Sequence, residues 1–247
     1  MSRLNGEWKV QAHGPLEEID DDLWSVAGEI TMPLGHFPRR MTVVRLAGRR
    51  LAIWSGIPLR EPAMQQLESL GAISYLIVPG ATHRLDIRAW KHRYPSALVV
   101  CAPGASKAVA EAVPVDATGD VLADPQVQLE TVAGTDGKEC ALIARRDSGA
   151  TLVINDLIAN VRHPHGLGAN LMARLMGFGI KGPQMPRVAA KLFVKDRAAL
   201  AQAFDAWAGL PQLRRIVVSH GDVIGDQVRS TLQRLSAELR SADRAAA

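Results

Sequence analysis

Apolar runs of four to seven residues, broken by Gly, Pro and charged turns, set the pattern of this chain. Met41–Leu46 and Leu51–Trp54 flank the turn Ala47-Gly48-Arg49-Arg50 and predict a β-hairpin. In Glu61–Leu70, Met64, Leu67 and Leu70 fall at helical spacing, with Pro62 in the first turn and Gly71 after the last. Ala72–Val78 is apolar almost throughout, as a strand buried on both faces must be. Ile87–Tyr94 predicts a short helix stopped by Pro95, Ala97–Ala102 a second buried strand, and Ser106–Val113 another helix. The middle changes character. Val127–Val132, Glu139–Ala144 and Thr151–Ile154 predict a meander, with the tight turn Asp147-Ser148-Gly149 before its third strand. Asp196 predicts an N-cap for a helix to Trp207, Leu213–Ser219 a last strand, and Val228, Leu232, Leu235 and Leu239 an amphipathic terminal helix. Residues 167–180 are apolar but punctuated by Gly168, Gly177 and Gly179, and predict a broken helix or lid. Residues 1–23 are polar and read as irregular, with Glu17–Asp22 a solvated turn. Strands, mixed β/α units, a meander and late helices fit two sheets packed face to face with helices outside.

No linker or repeat divides the 247 residues, so a single domain over 1–247 is expected. The net charge of +4 is spread over separate arginine pairs, Arg39-Arg40, Arg49-Arg50, Arg145-Arg146 and Arg214-Arg215. These read as solvated strand ends and turns, so no nucleic-acid partner is expected. Cys101 and Cys140 sit in apolar runs with no CxxC spacing, which excludes a cysteine zinc knuckle and predicts buried thiols. No signal segment opens the chain and no run approaches the ~20 apolar residues of a membrane helix. A soluble cytoplasmic protein without membrane partners is expected.

The chemistry gathers where strands end. Ala72–Val78 runs into Pro79-Gly80-Ala81-Thr82-His83-Arg84-Leu85-Asp86, Thr151–Ile154 into Asn155-Asp156, and Arg215–Val218 into Ser219-His220-Gly221-Asp222. Three buried strands that each present a ligand-type side chain at one edge build a metal or catalytic site. Serine chemistry has no support, because Ser55-Gly56 and Ser219-His220 lack a Gly-x-Ser-x-Gly elbow. Gly166–Asn170 lacks the strand that would make it a phosphate cradle. His36 sits in Pro33–Pro38, read as a surface turn, and His92 and His13 receive no role.

At these residues the chain resembles the metallo-β-lactamase fold, as a divergent branch of unknown function. The resemblance spans about residues 24–240. It rests on Met41–Leu46, Val78–His83, Trp90 with Tyr94-Pro95, Asn155-Asp156-Leu157 with Asn160, and Ser219–Asp222. It implies an αββα sandwich with a metal site along one edge. The family loop reads His-x-His-x-Asp-His, and here only one histidine stands in it. The resemblance therefore implies a reduced ligand set, His83, Asp156 and His220. Such a set suits one Zn2+ or Fe2+ with an open position and is too small for a two-metal centre. Asp86 or Asp222 would orient a water or a ligating histidine. Glu139 is the nearest ionisable residue to the family's remaining histidine ligand, and His163 and His165 are further candidates to complete the site. The implied activity is hydrolysis of an ester, lactone or amide. The alternatives are an inactive scaffold that binds a small molecule or a protein, and an iron-dependent oxidoreductase.

Overall fold

Strict period-two burial shapes the second half of the chain and explains why it forms a layer. In the strands Cys140–Arg146, Gly149–Ile154 and Leu213–Val218, the residues Ala141, Ile143, Leu152, Ile154, Ile216 and Val218 belong to one apolar cluster. Their neighbours Cys140, Leu142, Ala144, Val153 and Val217 belong to another. Alternate side chains of a strand face opposite ways, so this sheet is buried on both sides. One side meets a second sheet and the other meets helices.

The computed structural model describes residues 4–32, 35–162, 173–174 and 176–244. The first sheet has seven strands in chain order: β1 (Glu17–Asp20), β2 (Leu23–Met32), β3 (Gly35–Leu46), β4 (Arg50–Trp54), β5 (Ala72–Val78), β6 (Leu98–Cys101) and β7 (Ala117–Thr118). β1 to β4 pair antiparallel, and β4 to β7 run parallel. Their crossovers carry α1 (Glu61–Leu70), α2 (Ile87–Arg93) and α3 (Ser106–Ala110). The second sheet orders β11 (Leu213–Val218), β10 (Gly149–Ile154), β9 (Cys140–Arg146) and β8 (Val127–Thr131). Only β10 and β11 are parallel within it. α5 (Arg197–Ala208) and α6 (Val228–Arg244) cover its outer face through Leu200, Phe204, Leu232 and Leu235. A short α4 (Arg187–Leu192) precedes α5. The result is an αββα sandwich of two mixed sheets, as the pattern predicts. No helix of the described residues is long and apolar enough to cross a membrane.

The predicted hairpin, the buried strands, the meander and the Asp196 cap all form, and Asp196 accepts from the Ala199 amide at 2.9 Å. Three readings are corrected. Glu17–Asp20 is not a solvated turn but an edge strand paired to β2. Its charge is tolerated because Asp20 meets Arg215 at 2.6 Å and accepts from Ser148 at 2.5 Å. The pair Arg39-Arg40 is not solvated either, since Arg39 pairs with Asp86 and Arg40 donates to the Gly221 carbonyl and to Ser25. His36 lies exposed on β3 rather than in a turn. Residues 167–172 and 175 of the segment 167–180 lie outside the described residues, as do His163 and His165.

Candidate metal centre

Three strand ends converge here, two from one sheet and one from the other. β5 leaves the first sheet through Pro79-Gly80 into a single 3-10 turn, Ala81–His83, closed by the His83 amide on the Gly80 carbonyl at 3.1 Å. The second sheet anchors that exit. Its Cys140 amide donates to the Pro79 carbonyl at 3.0 Å, and Gly80 bridges Glu139. A Cβ on Gly80 would stand 2.3 Å from Glu139 Oε1, so any side chain there would force Glu139 to shift. β10 ends at Asp156. β11 ends in a bend that Asn160 clasps, its amide on the His220 carbonyl and its carbonyl on the Asp222 amide, each at 3.0 Å. Gly221 has φ of 106°, and a Cβ there would meet the Asn160 carbonyl oxygen at 2.1 Å. The backbone thus fixes all three side chains before any ligand arrives.

His83 Nε2 and His220 Nε2 each lie 3.1 Å from the same oxygen, Asp156 Oδ1. The Thr82 hydroxyl donates to the other oxygen, Oδ2, at 2.7 Å. One ligand atom from each of His83, Asp156 and His220 lies within 4.8 Å of the others, the one such group among the described residues. Ligands about 2.0–2.1 Å from a tetrahedral ion stand roughly 3.3 Å apart, so the observed separations fit one small divalent cation. The far ring nitrogens are also engaged, at 2.8 Å to the Pro38 carbonyl for His220 and at 2.6 Å to Ser55 Oγ for His83. Such outer contacts fix the orientation of a ligating imidazole.

The Pro38 contact decides a tautomer. A carbonyl only accepts, so His220 Nδ1 carries the hydrogen. Neutral His220 then turns the lone pair of Nε2 towards Asp156 Oδ1. Two acceptors in contact need a cation between them, either a proton on His220 or a metal ion. The charge balance agrees. Burial pushes the Asp156 carboxyl up, but the two histidines outweigh it and hold it well below the usual carboxylate range. Burial disfavours charge on His220, yet Asp156 and the Pro38 carbonyl hold its pKa above the ordinary value.

The other sequence candidates stand outside the ligand group. Asp86 lines the same cavity, but its carboxylate pairs with Arg39 and accepts from Asn5 at 2.7 Å. Asp222 is exposed and lines a second cavity with Arg40 and Arg162, apart from the two histidines. Glu139 is fully buried and accepts from Asn155 at 3.0 Å rather than joining the ligand group. Ser55, which lacks a nucleophile elbow in the sequence, has a part here all the same. It holds a left-handed conformation at the end of β4, with φ of 53°, and this places its hydroxyl on His83. The Ser-Gly pair at a strand end was the only trace of it, without the motif that marks a serine for chemistry. Phe37 and Phe178 escaped notice. Their rings pack 5.2 and 6.0 Å from the His220 ring and shield it.

No family model and no curated protein matches this chain. Solved structures do. A metallo-β-lactamase from Erythrobacter litoralis superposes with a TM-score of 0.61 at 15% identity, over 90% of this chain and 96% of that one. One from Hirschia baltica gives 0.57 at 10% identity, over 90% and 98%. The mono-zinc form of FIM-1 from Pseudomonas aeruginosa gives 0.57 at 14% identity, over 91% and 96%. At these identities the likeness shows the fold: this is a metallo-β-lactamase fold.

Proposed function

We propose that this metallo-β-lactamase-fold chain acts as one domain, holding one divalent ion, zinc or iron, on His83, Asp156 and His220 to hydrolyse an ester, lactone or amide. The observation that carries the reading is that His83 Nε2 and His220 Nε2 both lie 3.1 Å from one carboxylate oxygen, Asp156 Oδ1. An ion in that place lowers the pKa of a water and polarises a carbonyl. The chain's own residues do the rest. Asp156 supplies the negative charge, with Thr82 occupying one oxygen and the other turned towards the two histidines. Ser55 holds the His83 ring in place, and Phe37 with Phe178 keeps bulk water from His220. Two free, buried cysteines suit a reducing compartment, which supports a cytoplasmic location.

The test is metal content by mass spectrometry on protein made without a tag or chelator, together with turnover of nitrophenyl esters. About one equivalent of zinc or iron, with metal and turnover both lost on chelation and in His220→Ala, is the expected result. Full metal content and turnover in His220→Ala would sink the assignment. Turnover that survives chelation but disappears in Ser55→Ala would instead make Ser55, His83 and Asp156 the working unit. No metal after reconstitution and no turnover would leave an inactive binding scaffold.

A further inference from the structure

The cavity that opens on the candidate centre is about 350 Å³, within the range of small-molecule sites. Its floor is polar: Ser55, Thr82, His83, Asp156 and His220. Its walls are not. Phe37 and Phe178 stand on one side, and Val188, Leu192 and Phe193, from α4 and its end, on another. Four large apolar side chains are exposed among the described residues, and two of them, Met176 and Leu192, line this cavity. Exposed apolar groups gathered at one polar site mark a surface that takes an apolar ligand.

Charge narrows the class further. Among the described lining residues, Arg39 is the only one with a permanent positive charge, and it is paired with Asp86 and also donates to the Glu29 carbonyl at 3.1 Å. Nothing described in the wall is left to pair with a phosphate or carboxylate on the substrate. A buried anion without a partner costs heavily. Away from the polar floor, the described wall therefore favours an apolar group over an anionic one.

On these grounds, and resting on the hydrolase reading above, we propose that the substrate is an uncharged ester or lactone whose aliphatic acyl chain lies along Phe37, Phe178, Val188, Leu192 and Phe193. Hydrolysis then adds water across the acyl C–O bond. The hydroxyl goes to the acyl carbon to make the acid, and the proton goes to the alkoxy oxygen to make the alcohol.

Nitrophenyl esters from acetate to octanoate read the wall through kcat/KM. Each added methylene buried in the transition state is worth about fourfold, until the chain outgrows the cavity. Val188→Trp, which fills the wall from a half-buried position, flattens that slope while the metal content stays at one equivalent. Leu192→Lys, at a position already half exposed, lowers octanoate turnover and raises that of an ester ending in a carboxylate. A second readout needs no chemistry: thermal shift by neutral alcohols of rising length, which steepens in the parent and not in Val188→Trp. Turnover that is flat or falls with chain length, or a parent enzyme that prefers the carboxylate-ended ester, overturns the proposal. Chain-length-dependent alcohol binding without turnover at any length upholds the apolar occupant and overturns the hydrolase reading instead. No chain-length dependence in either measurement overturns the proposal outright.

Discussion

Glu139 shows how far a single residue departs from its ordinary behaviour in this fold. Its side chain is completely buried, one oxygen accepts from Asn155, and the other has no hydrogen-bond partner. Burial first, and the nearby charge of Asp156 second, raise its carboxyl well above the usual value of 4.5. The consequence for stability has a definite sign. The folded state holds the proton that the unfolded chain gives up, so Glu139 costs nothing below about pH 4 and progressively more as pH rises above its unfolded pKa. Glu139→Gln keeps the shape and the Asn155 contact and cannot ionise. Its melting temperature, relative to the parent, should be near zero shift at about pH 4 and grow steadily towards about pH 8. A constant difference across that range would mean that Glu139 is already ionised in the fold. The sequence marked Glu139 only as the ionisable residue nearest a missing ligand. Its actual neighbour, Asn155, lies just past another strand, and no local pattern could show that pairing.

Elements were more legible than their ends. Buried strands such as Ala72–Val78 and the helix spaced by Val228, Leu232, Leu235 and Leu239 announce themselves, because burial imposes a period on the side chains. The site residues His83, Asp156 and His220 were legible for the same reason, as ligand types placed just past such strands. Two elements were not. α4 has six residues, too few for a period to emerge. β1 reads Glu-Glu-Ile-Asp, and only its pairing with β2, with Asp20 held by the distant Arg215, makes it a strand. The turn between β5 and α2 carries the sharpest constraint at this scale. It presents His83, and Gly80 abuts Glu139 and Asn155 so closely that a methyl group has no room. Gly80→Ala should therefore push the turn away from the second sheet and weaken metal binding at least tenfold, the size of a lost outer contact. Its circular dichroism should stay folded. Titration of apo protein with zinc, read by calorimetry, checks this. An unchanged affinity would show that the turn adjusts and that its close packing does not set His83.

Across the whole molecule, the two sheets are tied at opposite ends of the same strands. At the start of β10 and β11, Asp20 from the first sheet meets Arg215, Ser148 and, at 3.4 Å, Thr151. At their far end His83 from the first sheet meets Asp156 and His220 from the second. Five residues separate Thr151 from Asp156 and Arg215 from His220, about 16 Å along a strand. The first tie is built from the chain alone. If the second holds the ion proposed above, metal loading should act as a removable clamp on the sandwich. Asp20→Ala leaves the Arg215 guanidinium, only a fifth exposed, without its carboxylate, and should cost about 3 kcal/mol. Zinc at about a hundred times its Kd should stabilise parent and variant alike, by about 2.7 kcal/mol, because it binds only the folded state. Ties this far apart with no shared partner should add to within about 0.5 kcal/mol. Urea unfolding of both proteins, with and without zinc, measures all four corners of that cycle. A zinc increment that shrinks in Asp20→Ala would mean that the sheets slide as one body, and that the distant carboxylate holds the ligand geometry as well as the fold.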